Sequence, residues 1–182
     1  MFSRGLRYTF TAFLSVVFCS LIGSASNVKM SRTYWKWLNE DVHWIITPQE
    51  QADFQQLSTD QQRDDFIRAF WERRDPTSGT PENEFKEEHY MRLAFANEHF
   101  SSNVPGWMTD RGRIYILYGP PDSIEVDKGF EGANLLGENK LQLPAAHYIV
   151  WHYRYILGSS EKRDFTFVDT CRCNEYKLVD AQ

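Results

Sequence analysis

Glu84, Glu88 and Arg92 follow one another at intervals of four residues, so a helix would carry two carboxylates and a guanidinium on one face. Two kinds of chemistry fit that pattern. Paired carboxyls held in unlike surroundings, one protonated and one ionised, form the acid–base set of a glycosidase. The alternative is structural: Glu88 to Arg92 is a favourable helix ion pair, and Glu84 in a first turn complements the helix dipole. Asp110 is a third carboxylate candidate, and Arg73, Arg74 and Asp75 stand one loop ahead of the same helix. A catalytic set built from these residues would need Asp110, Arg74 and Glu88 in one concave pocket.

Asp110 belongs to the most constrained stretch of the chain. Gly106-Trp107-Met108-Thr109-Asp110-Arg111-Gly112-Arg113 runs through Ile114–Tyr118 into Gly119-Pro120-Pro121-Asp122. That density of glycine and proline means the backbone path is dictated. The composition predicts a turn, a strand over 113–118 and a second turn. Thr109 and Asp110 read as turn residues bonding nearby N–H groups, and Gly112 as the residue supplying a conformation that others resist. Asp122 could cap the second turn. Trp107 is either a core plug or an aromatic platform for a partner or a sugar ring. The candidate binding residues are Trp107, Thr109, Asp110, Arg111, Arg74, Asp75, Asp122 and Trp151.

The elements that position these residues fall into two groups. Tyr34, Trp35, Leu38, Val42 and Ile45 recur at helical spacing, predicting a helix and a short extended piece over Ser31–Ile46. Thr47-Pro48-Gln49-Glu50 is a capping box that starts a helix at Pro48. Ser58 and Thr59 open a third helix with the stripe Phe66, Ile67, Phe70 and Trp71, ended by Asp75-Pro76. Thr80-Pro81 repeats the cap-then-proline signal and predicts a long helix to about Phe100, burying Phe85, Leu93, Ala96 and Phe100. Beyond Gly106 the pattern changes to period two. Arg113–Tyr118, Tyr148–Ile156, Phe165–Val168 and Tyr176–Val179 read as strands. Helices first and strands later predict an α+β fold, with N-terminal helices packed on a C-terminal antiparallel meander of about four strands. Residues 128–144 read as a long mobile loop on the sheet.

Several classes of chemistry find no support. His43, His89, His99, His147 and His152 never fall into metal-ligand spacing, so neither a resident metal nor a cofactor is expected. There is no Gly-x-Ser-x-Gly elbow, and Gly129, Gly132 and Gly137 do not form a phosphate-cradling motif.

Arg4 and Arg7 precede an apolar run from Tyr8 to Ile22 and the small residues Gly23–Ser26, which reads as a secretory signal peptide over residues 1–26. A single domain over 27–182 would remain, with 18 basic residues against 25 acidic ones and a net charge near −7. That balance speaks against nucleic acid and anionic lipid, and no later stretch predicts a membrane span. Aromatic residues make up 15% of the chain, ample for a core. Cys19 would leave with the signal, and Cys171 and Cys173 could form a bridge, two free thiols or part of a thiol metal site.

Beyond these patterns, the chain resembles the GWxTD domain family from about Trp37 to the C-terminus. The likeness is carried by Asp41–Thr47, Phe70–Pro76, Asn83-Glu84-Phe85 with Glu88 and Arg92, Gly106–Asp122, and Trp151-His152-Tyr153. It implies an exported bacterial protein, periplasmic or extracellular, with no settled activity. Two functions are carried forward. One is a non-enzymatic envelope module binding another envelope protein or a glycan, and the other a carboxylate-dependent hydrolase of cell-wall or polysaccharide material.

Overall fold

The computed structural model describes residues 30–127, 147–156 and 161–181; the signal segment and the 128–144 loop lie outside them. Five α-helices precede a four-stranded antiparallel sheet, the α+β arrangement expected. The helices are α1 (Arg32–Lys36), α2 (Pro48–Gln56), α3 (Asp60–Glu72), α4 (Glu84–His99) and α5 (Asp110–Tyr118). The strands are β1 (Ser123–Asp127), β2 (His147–Tyr153), β3 (Arg163–Asp169) and β4 (Lys177–Ala181), adjacent in that order.

Local chemistry sets most helix starts. Thr47 and Glu50 form the reciprocal capping box at α2, and Thr59 with Gln62 forms a second one at α3. Each satisfies two backbone donors that a helix start leaves orphaned. α1 continues into a π-helical turn over Trp37–Asp41, where the Val42 N–H reaches back to the Trp37 carbonyl. The segment after it is a turn rather than the extended piece expected, with both Ile45 and Ile46 donating to the Val42 carbonyl.

Two other expectations are corrected. α4 begins at Glu84, not at Pro81, because Asn83 is the better cap. Its Oδ1 accepts from the Lys86 N–H and its Nδ2 donates to the Trp71 carbonyl, tying the helix start to the end of α3. Thr80 instead donates its hydroxyl to the Thr77 and Glu82 carbonyls within the loop. The more consequential correction is α5: residues 113–118 are helical rather than a strand. Thr109 accepts from the Gly112 N–H as N-cap, Asp110 occupies the first turn, and Gly119 at φ +80° ends the helix. The β-prone run Ile114-Tyr115-Ile116 is overruled because α4 lies on one side of α5 and the sheet on the other.

Two apolar clusters result. Trp37, Leu38, Val42, Phe54, Phe70 and Trp71 fill the space among α1, α2 and α3. Leu93, Ala96, Phe100, Ile114, Ile116, Trp151, Tyr153, Phe165 and Phe167 fill the space between α4, α5 and one face of the sheet. In the register, Trp151 sits opposite Phe165 and Ile149 opposite Phe167, which puts these residues on that face. A bulge at Thr166/Phe167 shifts the β3–β4 pairing. α4 spans both clusters, and Tyr90 packs against each.

The seam of the second cluster is a backbone contact. Gly106 presses on α4 so closely that a Cβ there would lie 1.8 Å from the Ala96 carbonyl oxygen. Gly112 in turn presses on Gly106, where a Cβ would lie 1.9 Å from its carbonyl oxygen. The obstacle is main chain in both cases, so no side-chain rearrangement relieves it. Gly106→Ala and Gly112→Ala should each lower the unfolding free energy by about 3 kcal/mol or more, the upper end of overpacking costs, read by denaturant titration against the parent. A loss under about 0.5 kcal/mol at either position would refute the close approach.

Candidate functional site

The turn at Gly106–Met108 is a single 3-10 turn fastened to the C-terminal end of α4. Asn97 Oδ1 accepts from the Trp107 N–H at 3.0 Å, and the Ser101 hydroxyl accepts from the Gly106 N–H at 2.9 Å. Thr109 Oγ1 donates to the Gly106 carbonyl while accepting from the Gly112 N–H. From the other side, the Trp44 Nε1–H donates to the Trp107 carbonyl at 2.8 Å, and the His43 ring lies 5.4 Å from the Trp107 ring. Every polar atom of the turn's backbone named here is thereby spent on holding the turn.

The Trp107 ring itself is half-buried and borders a groove of about 300 Å³. Lys36, Glu40 and Asp41 form one wall, Leu93 and Asn97 of α4 with Ser101 just past its end another, and Pro105 with Trp107 the third. Lys36 is salt-bridged to Asp41 and lies 3.9 Å from Glu40. The groove thus sets an aromatic ring beside partly neutralised carboxylates, with the Ser101 hydroxyl and the Asn97 amide oxygen already engaged by the main chain.

The remaining candidates serve separate tasks. Asp110 Oδ2 accepts from the Leu178 N–H at 2.9 Å, pinning the start of α5 to β4, and Arg113 approaches its other oxygen at 3.4 Å. Asp122 accepts from the Arg154 backbone N–H and then its guanidinium, which hold its carboxyl below the usual range and staple the start of β1 to the end of β2. Trp151 is a core residue, 3% exposed. Asp75 accepts from the Thr77 N–H beside a groove of about 430 Å³ between α3 and the loop before α4. Glu84 is exposed.

Glu88 pairs with Arg92 along α4. They face a cavity of about 50 Å³ whose other walls are Ile45, Phe85, His89, Ile116 and Leu117, so one carboxylate and no second acid reaches it. Neither Arg74 nor Asp110 contributes to that cavity. Arg92 also reaches the Ile116 and Leu117 carbonyls at 3.4 Å, placing a cation at the C-terminal end of α5 where the helix dipole favours one. Arg74 instead grips Glu50 through two oxygens at 2.7 and 3.0 Å, donates to the Phe70 carbonyl, and stacks 3.6 Å from the Phe70 ring.

Sequence reasoning missed the buried polar residues Arg63, His89 and Asp169, and it took Arg111, which is also buried, for a binding residue. His89 donates its Nε2–H to the Asp41 carbonyl at 2.6 Å, and burial holds it below its ordinary value, as a neutral base. Only its position between Phe85 and Leu93 on the buried face of α4 hinted at this. Arg111, 8% exposed, is sandwiched between the Phe100 and Tyr176 rings, and burial lowers its pKa. Its Nη2 donates to the Asn174 carbonyl and Oδ1. Gly112 needs its small size rather than an unusual φ, since it lies within α5.

Cys171 and Cys173 are bridged. The geometric trio Asp169, Cys171 and Cys173 therefore offers no thiolate to a cation in this state. No helix among the described residues is long and apolar enough to cross a membrane.

A sequence model described as the GWxTD domain matches residues 27–132, more than half of the chain. No curated protein and no solved structure matches it.

Two ionisable groups with lowered pKa, the half-buried Glu50 and the buried His89, shape a pH profile. Burial tends to raise the Glu50 carboxyl, but bonds from Arg74, the Thr47 N–H and Arg73 outweigh it and bring the group from 4.5 down to about 2. Its stabilisation is complete above pH 4.5 and fades as pH falls toward 2. His89, likewise lowered, contributes fully above its ordinary 6.5 and is lost as pH falls through its folded value. Unfolding free energy should therefore decline in two stages on acidification. Glu50→Gln should shrink the lower stage and cost about 1–2 kcal/mol near neutrality, and His89→Gln should remove the upper one. A single-stage profile in the parent, by chemical denaturation across pH, would contradict the assignment.

Proposed function

This chain belongs to the GWxTD domain family, and from that premise we propose that it is a non-enzymatic binding module of the bacterial envelope, taking another envelope protein or a glycan in the groove beside Trp107. The supporting observation is a division of labour within the signature. Gly106, Thr109, Asp110 and Gly112 are occupied in holding backbone together, while the Trp107 ring packs in part against the sheet-side core and also borders the groove. A tryptophan ring bordering a groove beside carboxylates suits a sugar face or an apolar side chain with polar neighbours. Met108, next in the chain, is 51% exposed.

Export is part of the same reading. It rests on Arg4 and Arg7 ahead of the apolar run to Ile22, and the Cys171–Cys173 bridge fits an oxidising compartment. The hydrolase alternative has less behind it, because Glu88 is paired to Arg92 beside a cavity of about 50 Å³, too small for a sugar ring.

Trp107→Ala keeps the backbone bonds of the turn and removes only the ring. Recovery on isolated cell-wall polysaccharide, and crosslinking to envelope proteins through a photoreactive residue at position 108, should both be compared with the parent. At least a tenfold loss in one arm is expected, with the circular dichroism spectrum retained, and the arm that responds names the ligand class. Undiminished binding in both arms would remove the groove from consideration. Turnover of polysaccharide by the purified chain, abolished in Glu88→Gln at constant Tm, would put the hydrolase in its place.

A further inference from the structure

We propose that the Cys171–Cys173 bridge is a thiol–disulfide exchange site that oxidises dithiols of other polypeptides, with Asp169 as the positioning residue for the sulfur that leaves. The site stands apart from the Trp107 groove and lies beyond the residues matched by the family model. Both cysteines are exposed at the turn after β3, so an incoming thiolate has access to them. Their separation of two residues closes a very small ring, which constrains the unfolded chain far less than a long-range bridge would. A bridge of that kind adds little to the fold, and another role accounts better for its presence.

The turn is held by bonds that do not pass through sulfur. Asp169, 3% exposed, accepts from the Cys173 N–H at 3.2 Å and from the Asn174 N–H at 2.8 Å. Asn174, at φ +66°, accepts from the buried Arg111 guanidinium through both its carbonyl and its side chain. Opening the bridge leaves these contacts in place, so the two sulfurs stay close and the oxidised state can re-form.

The same carboxylate biases the couple. Asp169 Oδ1 lies 3.2 Å from the Cys171 sulfur. A disulfide sulfur carries no hydrogen to donate, so this contact is idle in the bridged state. Once reduced, the Cys171 thiol donates its S–H to a buried carboxylate, and a bond appears in the reduced form alone. That stabilises the reduced form and makes the bridge an oxidant.

The exchange balances as follows. A substrate thiolate attacks Cys173 Sγ, the Cys171–Cys173 bond breaks, and Cys171 Sγ departs with the electron pair and takes a proton from water. The second substrate thiolate attacks the substrate sulfur of the mixed disulfide, releasing Cys173 Sγ, which is protonated in turn. Two electrons and two protons have passed from the substrate dithiol to the cysteine pair. The reverse exchange with glutathione disulfide restores the bridge.

The test uses the full chain carrying Cys19→Ser, equilibrated in glutathione buffers and followed by alkylation and mass spectrometry. We expect reversible reduction with the circular dichroism spectrum unchanged, and one equivalent of a reduced dithiol peptide oxidised per bridge. Asp169→Asn should require at least a tenfold higher ratio of reduced glutathione squared to glutathione disulfide for half-reduction. The Cys171→Ser/Cys173→Ser double variant should fold and leave the peptide reduced. A bridge that opens only when the chain unfolds, or that opens without oxidising the peptide, overturns the proposal. A midpoint unmoved in a folded Asp169→Asn removes Asp169 from it. Should that variant not fold, alkylation of the reduced parent across pH reads the same contact: one thiol must titrate above the ordinary value of about 8.5, and two ordinary thiols would remove it.

Discussion

The fold depends on a contact in which backbone meets backbone. Gly106 lies against the Ala96 carbonyl and Gly112 against the Gly106 carbonyl, so α4, the 3-10 turn and α5 stack without side chains between them. Three helical segments approach within a distance that a methyl group would forbid. The rest of the signature follows from keeping that approach in register. Thr109 bonds both glycines, Asn97 and Ser101 fix the turn to α4, and Asp110 carries the arrangement across to β4. With the glycines so close, Ile114 and Ile116 can share one core with Trp151 and Phe167.

The polar residues that look chemically promising are mostly consumed by this architecture. Glu50 caps α2 and receives Arg73 and Arg74, Arg92 closes the end of α5, and Asp122 joins two strands through Arg154. An active site keeps some strong groups underemployed so that substrate can engage them. What borders the groove here is a half-buried aromatic ring beside groups already paired.

How much of this was legible follows from the range of each interaction. The Thr47–Glu50 capping box spans four residues, and so it was readable and is present. The helix-first, strand-later order was readable from the change in periodicity, and the sheet is there. α5 was misread because Ile114 and Ile116 alternate as a strand would. Yet Thr109 as N-cap and Gly119-Pro120-Pro121 as a stop bracket nine residues, a helix signal that a local reading undervalued. The start of α4 went to Thr80-Pro81 because the pull of Trp71 on Asn83 comes from twelve residues away. The roles of His89 and Arg111 depend on partners 48 and 63 residues distant and on burial, which no local pattern encodes; Asp169 bonds residues only two to five positions on, but its burial is set by the fold.

Two ties join the helical cluster to the sheet cluster: Tyr90 on α4, and the Trp44–Trp107 bond outside it. Neither half retains a closed apolar interior if the other is taken away. The gene segment encoding this unit is therefore indivisible as an exchangeable cassette: shuffling between homologues can exchange it whole, whereas a crossover inside α4 strands two mismatched halves, each exposing rings that its former neighbour had covered.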